Sequence, residues 1–441
     1  MFGGCPNSLV AADTSRDESD KLRPPLRFRL VVVLSVTFLS LPRVLAQTGG
    51  QRHDTAGDDQ TAAISTSGSN ALSGQEPQAQ TTPAFPPPLW QYGGFVDAGY
   101  LLDFNHPAND LFRSRGTTYK LDQPLINLAA AYLQKNASES SPWGIQLTVQ
   151  AGQDTRVFGF SATAPDLPGS AGLRHLGPTN FSYRAPAGNG LTIQGGIFSS
   201  LIGYDSLYAK DNFSYTRPWG ADFTPYLMLG INASYPFTNR LTVTAYVVNG
   251  YWHLANANSV PSWGAQVSYK ATSHTTLKQT VLIGPHQSNT SPEFWRYLSD
   301  SIAEWKSDRF TTAFEYHVGT EDVAALGGPR ALWMAAQLPL HWVLGKHWSA
   351  TERPEVYWDR NGRLTGFIQT VKANTITLEY RRPCRQFTGI VRFEHRIDDS
   401  RGPQGGFFRG PFLPSGEVAL TPTQSLLGLA VILTFDSQAQ P

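Results

Sequence analysis

Nine ionisable residues fall two positions apart along the second half of the chain: Glu315 with His317, Arg353 with Glu355, Glu379 with Arg381, and Arg392, Glu394 and Arg396 together. Residues i and i+2 share one face of an extended strand, so each group occupies a single face of a β-strand. If those faces line a water-filled interior, opposite charges can pair across neighbouring strands and simply solvate the wall. Arg381, Arg392 and Arg396, on two adjacent strands, could instead attract anions. A second group, Asp205, Lys210, Asp211, Arg217 and Asp222, is interleaved with Tyr204, Tyr208, Tyr215 and Trp219 between Phe198 and Phe223. Such a segment could fold inward and narrow an opening; the alternative is an ordinary external loop. Catalysis finds little support, because no Gly-x-Ser-x-Gly elbow, His-Glu-x-x-His or phosphate-cradling glycine loop is present.

The elements that must position these residues are alternating strands. Leu427, Leu429, Val431, Leu433 and Phe435 share one face, with Gly428, Ala430 and Thr434 on the other and Ile432 as the exception. Phe310, Thr312, Phe314, Tyr316 and Val318 stand against Thr311, Ala313, Glu315 and His317 in the same way, and 145–151 and 241–247 repeat the split. Eight stretches end on an aromatic: Tyr132, Tyr183, Tyr235, Tyr269, Trp305, Trp342, Tyr380 and Phe435. Tyr and Trp collect where hydrocarbon meets water, so aromatics at strand ends read as the girdle of a transmembrane barrel.

Connector lengths set the strand number. Short connectors at 135–142, 185–190, 236–240, 271–274, 306–309, 343–346 and 383–386 alternate with long ones at 105–118, 154–177, 198–223, 250–261, 284–295, 320–330, 359–373 and 397–422. Outer-membrane barrels alternate short periplasmic turns with long external loops, so this pattern predicts an all-β, antiparallel transmembrane β-barrel of 16 strands over 91–435. Leu364–Thr370 could be an extra strand but would break the alternation, so it is placed in a loop; 18 strands is the alternative count. A β-propeller is the soluble rival, but each interval holds two strands where a blade needs four.

Composition agrees. No apolar run after Leu41 is long enough for a spanning helix, and the mean hydropathy is −0.26, ordinary for a barrel in which only alternate residues face lipid. Arg23, Arg27 and Arg29 precede an uncharged run from Leu30 to Leu41 and then Val44-Leu45-Ala46, the pattern of a signal peptide over 1–46 cut after Ala46. Acidic residues in the polar stretch before it point to a translation start downstream of Met1. Residues 47–90, rich in Thr, Ser, Gln, Gly and Pro, are expected to be a disordered periplasmic linker, and 436–441 a short tail. Without residues 1–46 the chain has 29 Lys and Arg against 30 Asp and Glu, which argues against nucleic acid as a partner. Cys384 would then stand alone, so neither an internal disulfide nor a cysteine-type metal site is expected, and no cofactor is implied.

The chain also resembles the OmpL-like β-barrel porins of Gram-negative outer membranes over Tyr92 to Phe435. The resemblance rests on Gly94-Phe95-Val96-Asp97-Ala98, on Ile202-Gly203-Tyr204-Asp205 followed by Asn212-Phe213-Ser214-Tyr215-Thr216-Arg217, on Val247-Val248-Asn249-Gly250-Tyr251-Trp252, and on Thr377-Leu378-Glu379-Tyr380. It implies an outer-membrane channel for small hydrophilic solutes, surrounded by lipid, inserted by the outer-membrane assembly machinery and open to homo-oligomerisation. Such barrels usually end on their terminal aromatic, whereas six residues follow Phe435 here. The alternatives are a lipase-like barrel enzyme, with histidines and serines meeting on the outer face, and an adhesion or scaffold barrel. The latter would need longer or more repetitive external loops.

Overall fold

The computed structural model describes residues 90–159, 170–251, 254, 258–287, 292–323 and 330–437. The expectations for 1–46, for 47–89 and for the end of the tail lie outside the described residues. Strands β1 to β8 span Gln91–Asp103, Leu125–Lys135, Trp143–Ala151, Thr179–Ala185, Leu191–Ser199, Leu227–Pro236, Leu241–Val248 and Ser262–Lys270. Strands β9 to β11 span Thr275–Pro285, Trp295–Lys306 and Phe310–Glu321. Strand β12 runs over Ala331–Gln337 and resumes over Leu340–Val343 after a break at Leu338-Pro339, both pieces pairing with β11 and β13. Strands β13 to β16 are Trp348–Asp359, Gln369–Cys384, Phe387–Arg401 and Thr423–Asp436.

Each strand pairs antiparallel with its sequence neighbours, and β1 pairs with both β2 and β16, from Gly93 opposite Asp436 to Asp103 opposite Leu426. The sixteen strands therefore form a closed barrel without an open edge, which lets every ladder group find a partner without water. All seven short connectors fall where their lengths placed them. Residues 364–368 form loop, and 369–370 simply begin β14, so the eighteen-strand alternative does not hold. The last strand extends one residue past Phe435, and Ser437 bonds its N–H to the Tyr92 carbonyl at 2.9 Å.

Alternation sorts the wall into two faces. Val96, Val149, Phe314, Leu427 and Val431 are exposed on the outside, while Asp97, Thr148, Glu315, Leu426 and Ile432 beside them are buried. In a membrane this outer band is covered by hydrocarbon. Strand β10 breaks the rule: Ser299 and Ser301 point outward and bond to Gln279, while Leu298 and Ile302 point in. Ile432, the exception within the last strand, is wholly buried and belongs to the interior core.

At the short-turn rim aromatic rings follow one another. Trp143 packs on Tyr183 with centroids 4.3 Å apart and planes tilted by 43°, Phe310 lies between Trp305 and Trp342, Trp348 packs on Tyr380, and Phe435 contacts both Tyr92 and Phe387. Tyr235 packs on Phe237, and Tyr269 is exposed. Tyr132 differs from the other seven strand-end aromatics. A bulge between Asp97 and Ala98 shifts the register of β1 against β2, and Tyr132 lies on the inner face between the exposed Ala131 and Leu133. Its phenol crosses the directly opposite Gly93, where a Cβ would lie 2.5 Å from the hydroxyl oxygen.

Candidate functional site

The segment 200–226, between β5 and β6, is the candidate site. Gly203 N–H donates to Asp300 Oδ2 on β10 at 2.9 Å, and Tyr204 Oη–H to Glu304 Oε2 on the same strand at 2.8 Å. Asp205 accepts from Gln337 on β12 at 2.6 Å, and Tyr208 donates to Gln150 on β3 at 2.9 Å. Tyr215 donates its hydroxyl to Asp97 on β1 at 2.7 Å, and that hydroxyl accepts from Asn127 on β2. Trp219 gives its indole N–H to Asp398 on β15 at 2.8 Å and its backbone N–H to Glu355 on β13. A segment bonded to β2 and to β10, eight strands apart in a ring of sixteen, must cross the interior. The loop that sequence reading bounded at Phe198 and Phe223 thus enters the barrel, with Phe198 and Ser199 belonging to β5 and the crossing continuing to Tyr226.

The wall on which it rests carries most of the expected charges. Arg392 is fully buried: Nε donates to Glu379 at 2.7 Å, Nη1 to the Ala209 carbonyl at 2.6 Å and Nη2 to the Asn212 carbonyl at 2.5 Å. Glu394 accepts the backbone N–H of Tyr215 at 2.7 Å and that of Thr216 at 3.1 Å. Arg396 is held by Asp398 and, at 3.0 Å, by Glu355, which also faces Arg353 at 3.5 Å. Glu315 lies 3.8 Å from His317. Arg381 pairs with Glu379 at 2.8 Å and keeps 33% of its side chain exposed. Of the three arginines that could attract anions, Arg392 and Arg396 are buried beneath the loop and compensated by carboxylates and carbonyls, because unpaired guanidinium groups could not be desolvated there.

Four of the loop's five named charges are in ion pairs as well. Lys210 meets Asp211 at 2.6 Å, Arg217 meets Asp154 at 3.1 Å, and Asp222 meets Arg115 at 3.1 Å. Burial works against the Arg217 charge, yet Asp154, Tyr226, Asp97 and Tyr215 together outweigh it and hold the guanidinium pKa above its usual value. Burial raises Asp205 to about 6, against the pull of Arg353 and the Gln337 hydrogen bond. Burial likewise pushes the Tyr215 phenol up, with Asp97 adding to the effect. Over the crossing, Phe112 and Phe407 from two other loops pack on Trp219 with centroids 5.9 and 6.3 Å away, and the Arg115 guanidinium lies 5.0 Å over the indole.

Sequence reading missed Asp97, Asp300, Asp398 and Arg115. Parity counted back from Trp305 would have placed Asp300 and Glu304 inside, but the inverted pattern of β10 hid it. Arg115 carries no local signal, since its partner is 107 positions away and only the fold brings the two together. On the opposite wall an uncharged belt runs from strand to strand: Gln134 donates to Gln91, Gln146 to Gln134, Asn180 to Gln146, Gln194 to Asn180 and Asn232 to Gln194, at 2.7 to 3.2 Å.

Residues 90–435 match the family described as "Putative beta-barrel porin-2, OmpL-like". The chain belongs to this porin family. The porin fold is shared with the outer membrane channel DcaP of Acinetobacter baumannii, at 12% identity and a TM-score of 0.50, covering 78% of this chain and 96% of that one. It is shared with Salmonella typhi OmpF in complex with daunomycin, at 9% identity and a TM-score of 0.51, covering 78% and 97%. No curated protein matches the chain. As a porin of this family it is an outer-membrane β-barrel channel for passive diffusion.

Proposed function

We propose that this porin is a narrowed channel for small hydrophilic solutes and that the crossing segment 200–226 is its constriction. A sixteen-strand wall leaves an aqueous interior when only its own side chains fill it. The observation that carries the reading is the set of hydrogen bonds from one loop to β1, β2, β3, β10, β12, β13 and β15. In this reading the buried wall charges Arg392, Glu394 and Arg396 hold the constriction in place, and Arg381, the more exposed partner of Glu379, meets the solute. Export through a signal peptide cut after Ala46, and a periplasmic tether over 47–90, belong to the same reading and are supported by the basic, then apolar, then small-residue order near the N-terminus.

Conductance of the purified protein in planar bilayers tests it. A small ohmic step is expected, rising several-fold when residues 204–222 are replaced by a short Gly-Ser connector. Silence from both proteins would defeat the channel; equal steps would defeat the constriction.

A further inference from the structure

We propose that Asp300, Glu315 and His317 form a binding site for one transition-metal dication of the zinc class. The site follows from strand register. Asp300 on β10 is directly opposite His317 on β11, and Glu315 precedes His317 by two positions, so all three side chains stand together on the inner face. One donor atom from each lies within 4.8 Å of the other two, and His317 Nδ1 is 3.8 Å from Glu315 Oε1. The exposures are 0%, 3% and 1%.

The hydrogen bonding points to a missing positive partner. Asp300 uses Oδ2 to accept the Gly203 N–H, and Glu315 uses Oε2 to accept Gln337 Nε2 at 2.5 Å. Asp300 Oδ1, Glu315 Oε1 and both His317 ring nitrogens have no hydrogen-bond partner among the described residues. Neither carboxylate has a Lys or Arg within ion-pair distance among those residues. Buried carboxylates and imidazoles are normally satisfied, and two acids beside a histidine with their free atoms converging satisfy one another poorly. A dication would satisfy them, while the Gly203 and Gln337 bonds supply the outer contacts that orient metal-bound carboxylates.

The donor set selects the ion. Imidazole with two carboxylates suits zinc and its neighbours, whereas calcium and magnesium take all-oxygen cages. With ligand bonds of about 2.1 Å, tetrahedral donors lie about 3.4 Å apart, so the 3.8 Å pair needs to close by only a few tenths of an ångström. Three protein ligands leave a fourth position for water. The crossing loop touches the site twice, through Gly203 N–H on Asp300 and through Gly220, whose absent Cβ would lie 2.7 Å from His317 Cε1. Bound metal would thereby fasten the loop to β10 and β11.

The test uses the full-length folded protein in detergent, stripped with chelator and titrated with Zn2+ by calorimetry and with Co2+ by visible absorption. One equivalent per chain is expected, with the intense cobalt bands of four- or five-coordination. His317→Ala and Glu315→Gln should each weaken binding by at least about 100-fold, the upper end of what even outer-shell partners carry. His395→Ala, on the exposed outer face, should change nothing. Absence of a stoichiometric site in the wild type overturns the proposal, as does unchanged binding by His317→Ala. Should either variant fail to fold, the wild-type cobalt spectrum decides, and weak octahedral bands overturn it. Binding is read without any conductance, so this result stands apart from that of the channel reading.

Discussion

The inner face of β1 to β6 and that of β10 to β15 are satisfied in different ways. The first carries the amide belt from Gln91 to Asn232, in which each link gives an N–H to the side chain before it. An amide has both donor and acceptor, so a row of them closes on itself from strand to strand. Guanidinium groups only donate and carboxylates only accept, and the ionic wall of β10 to β15 passes its surplus to the loop: Arg392 to the carbonyls of Ala209 and Asn212, Glu394 to the N–H groups of Tyr215 and Thr216. A wall of amides can stand bare to water, whereas this ionic wall is complete only with the loop in place. That difference accounts for the side on which the crossing loop makes most of its charged contacts.

The sharpest way to break the comparison is Arg392→Met. It leaves Glu379 with Arg381 as its one arginine partner and takes the donor from the carbonyls of Ala209, Asn212 and Ser214, and removing one partner of a buried ion pair costs about 3 to 5 kcal/mol. The expected outcome is a lower denaturation midpoint together with a larger single-channel step; an unchanged step would mean that the ionic wall does not hold the loop. The next effect concerns the outer face, which should be indifferent to the distinction between the two walls. Val431→Arg and Phe314→Arg should each cost about 2 to 4 kcal/mol in a folding titration into lipid. Thr434→Arg, on the other face of β16, should be tolerated, and equal damage from all three would overturn the facing of the strands.

On the amide wall the effect should be smaller. Gln194→Leu removes two belt bonds at a net contribution of about 0.5 to 1.5 kcal/mol each, and conductance should not move, because no loop bond is lost. A conductance change as large as that of Arg392→Met would erase the contrast between the walls. Smallest of all, Arg381→Gln should shift the reversal potential in a salt gradient only slightly toward cations, most clearly at low ionic strength. Its charge is already offset by Glu379, and a large shift would restore the expected anion-attracting strip.

Much of the barrel was legible in the chain. The facing of Leu427 through Leu433 and of Phe310 through Val318 follows from alternation within a single strand, and the seven short turns follow from length alone. Tyr132 was misread because β2 carries an extra residue, Asn127, between the partners of Asp97 and Ala98, and this changes the facing partway along the strand. Alternation puts each group of spaced charges on one face of its strand, yet what they do could not be read from spacing. Arg392 and Arg396 are loop anchors because Ala209, Asn212 and Arg217, some 180 positions upstream, arrive beneath them.

The alternation of short and long connectors and the facing of the regular strands were determined by the sequence by itself, since each rests on periodicity or on connector length, and both are local properties of the chain. Only the tertiary structure decided the course of 200–226, the burial of Arg392 and Arg396, and the meeting of Asp300 with Glu315 and His317. The physical reason is that a buried charge takes whichever partner the fold delivers. Asp222 meets Arg115, Trp219 meets Asp398 and Gly203 meets Asp300 across 97 to 179 positions, distances at which no local pattern carries information.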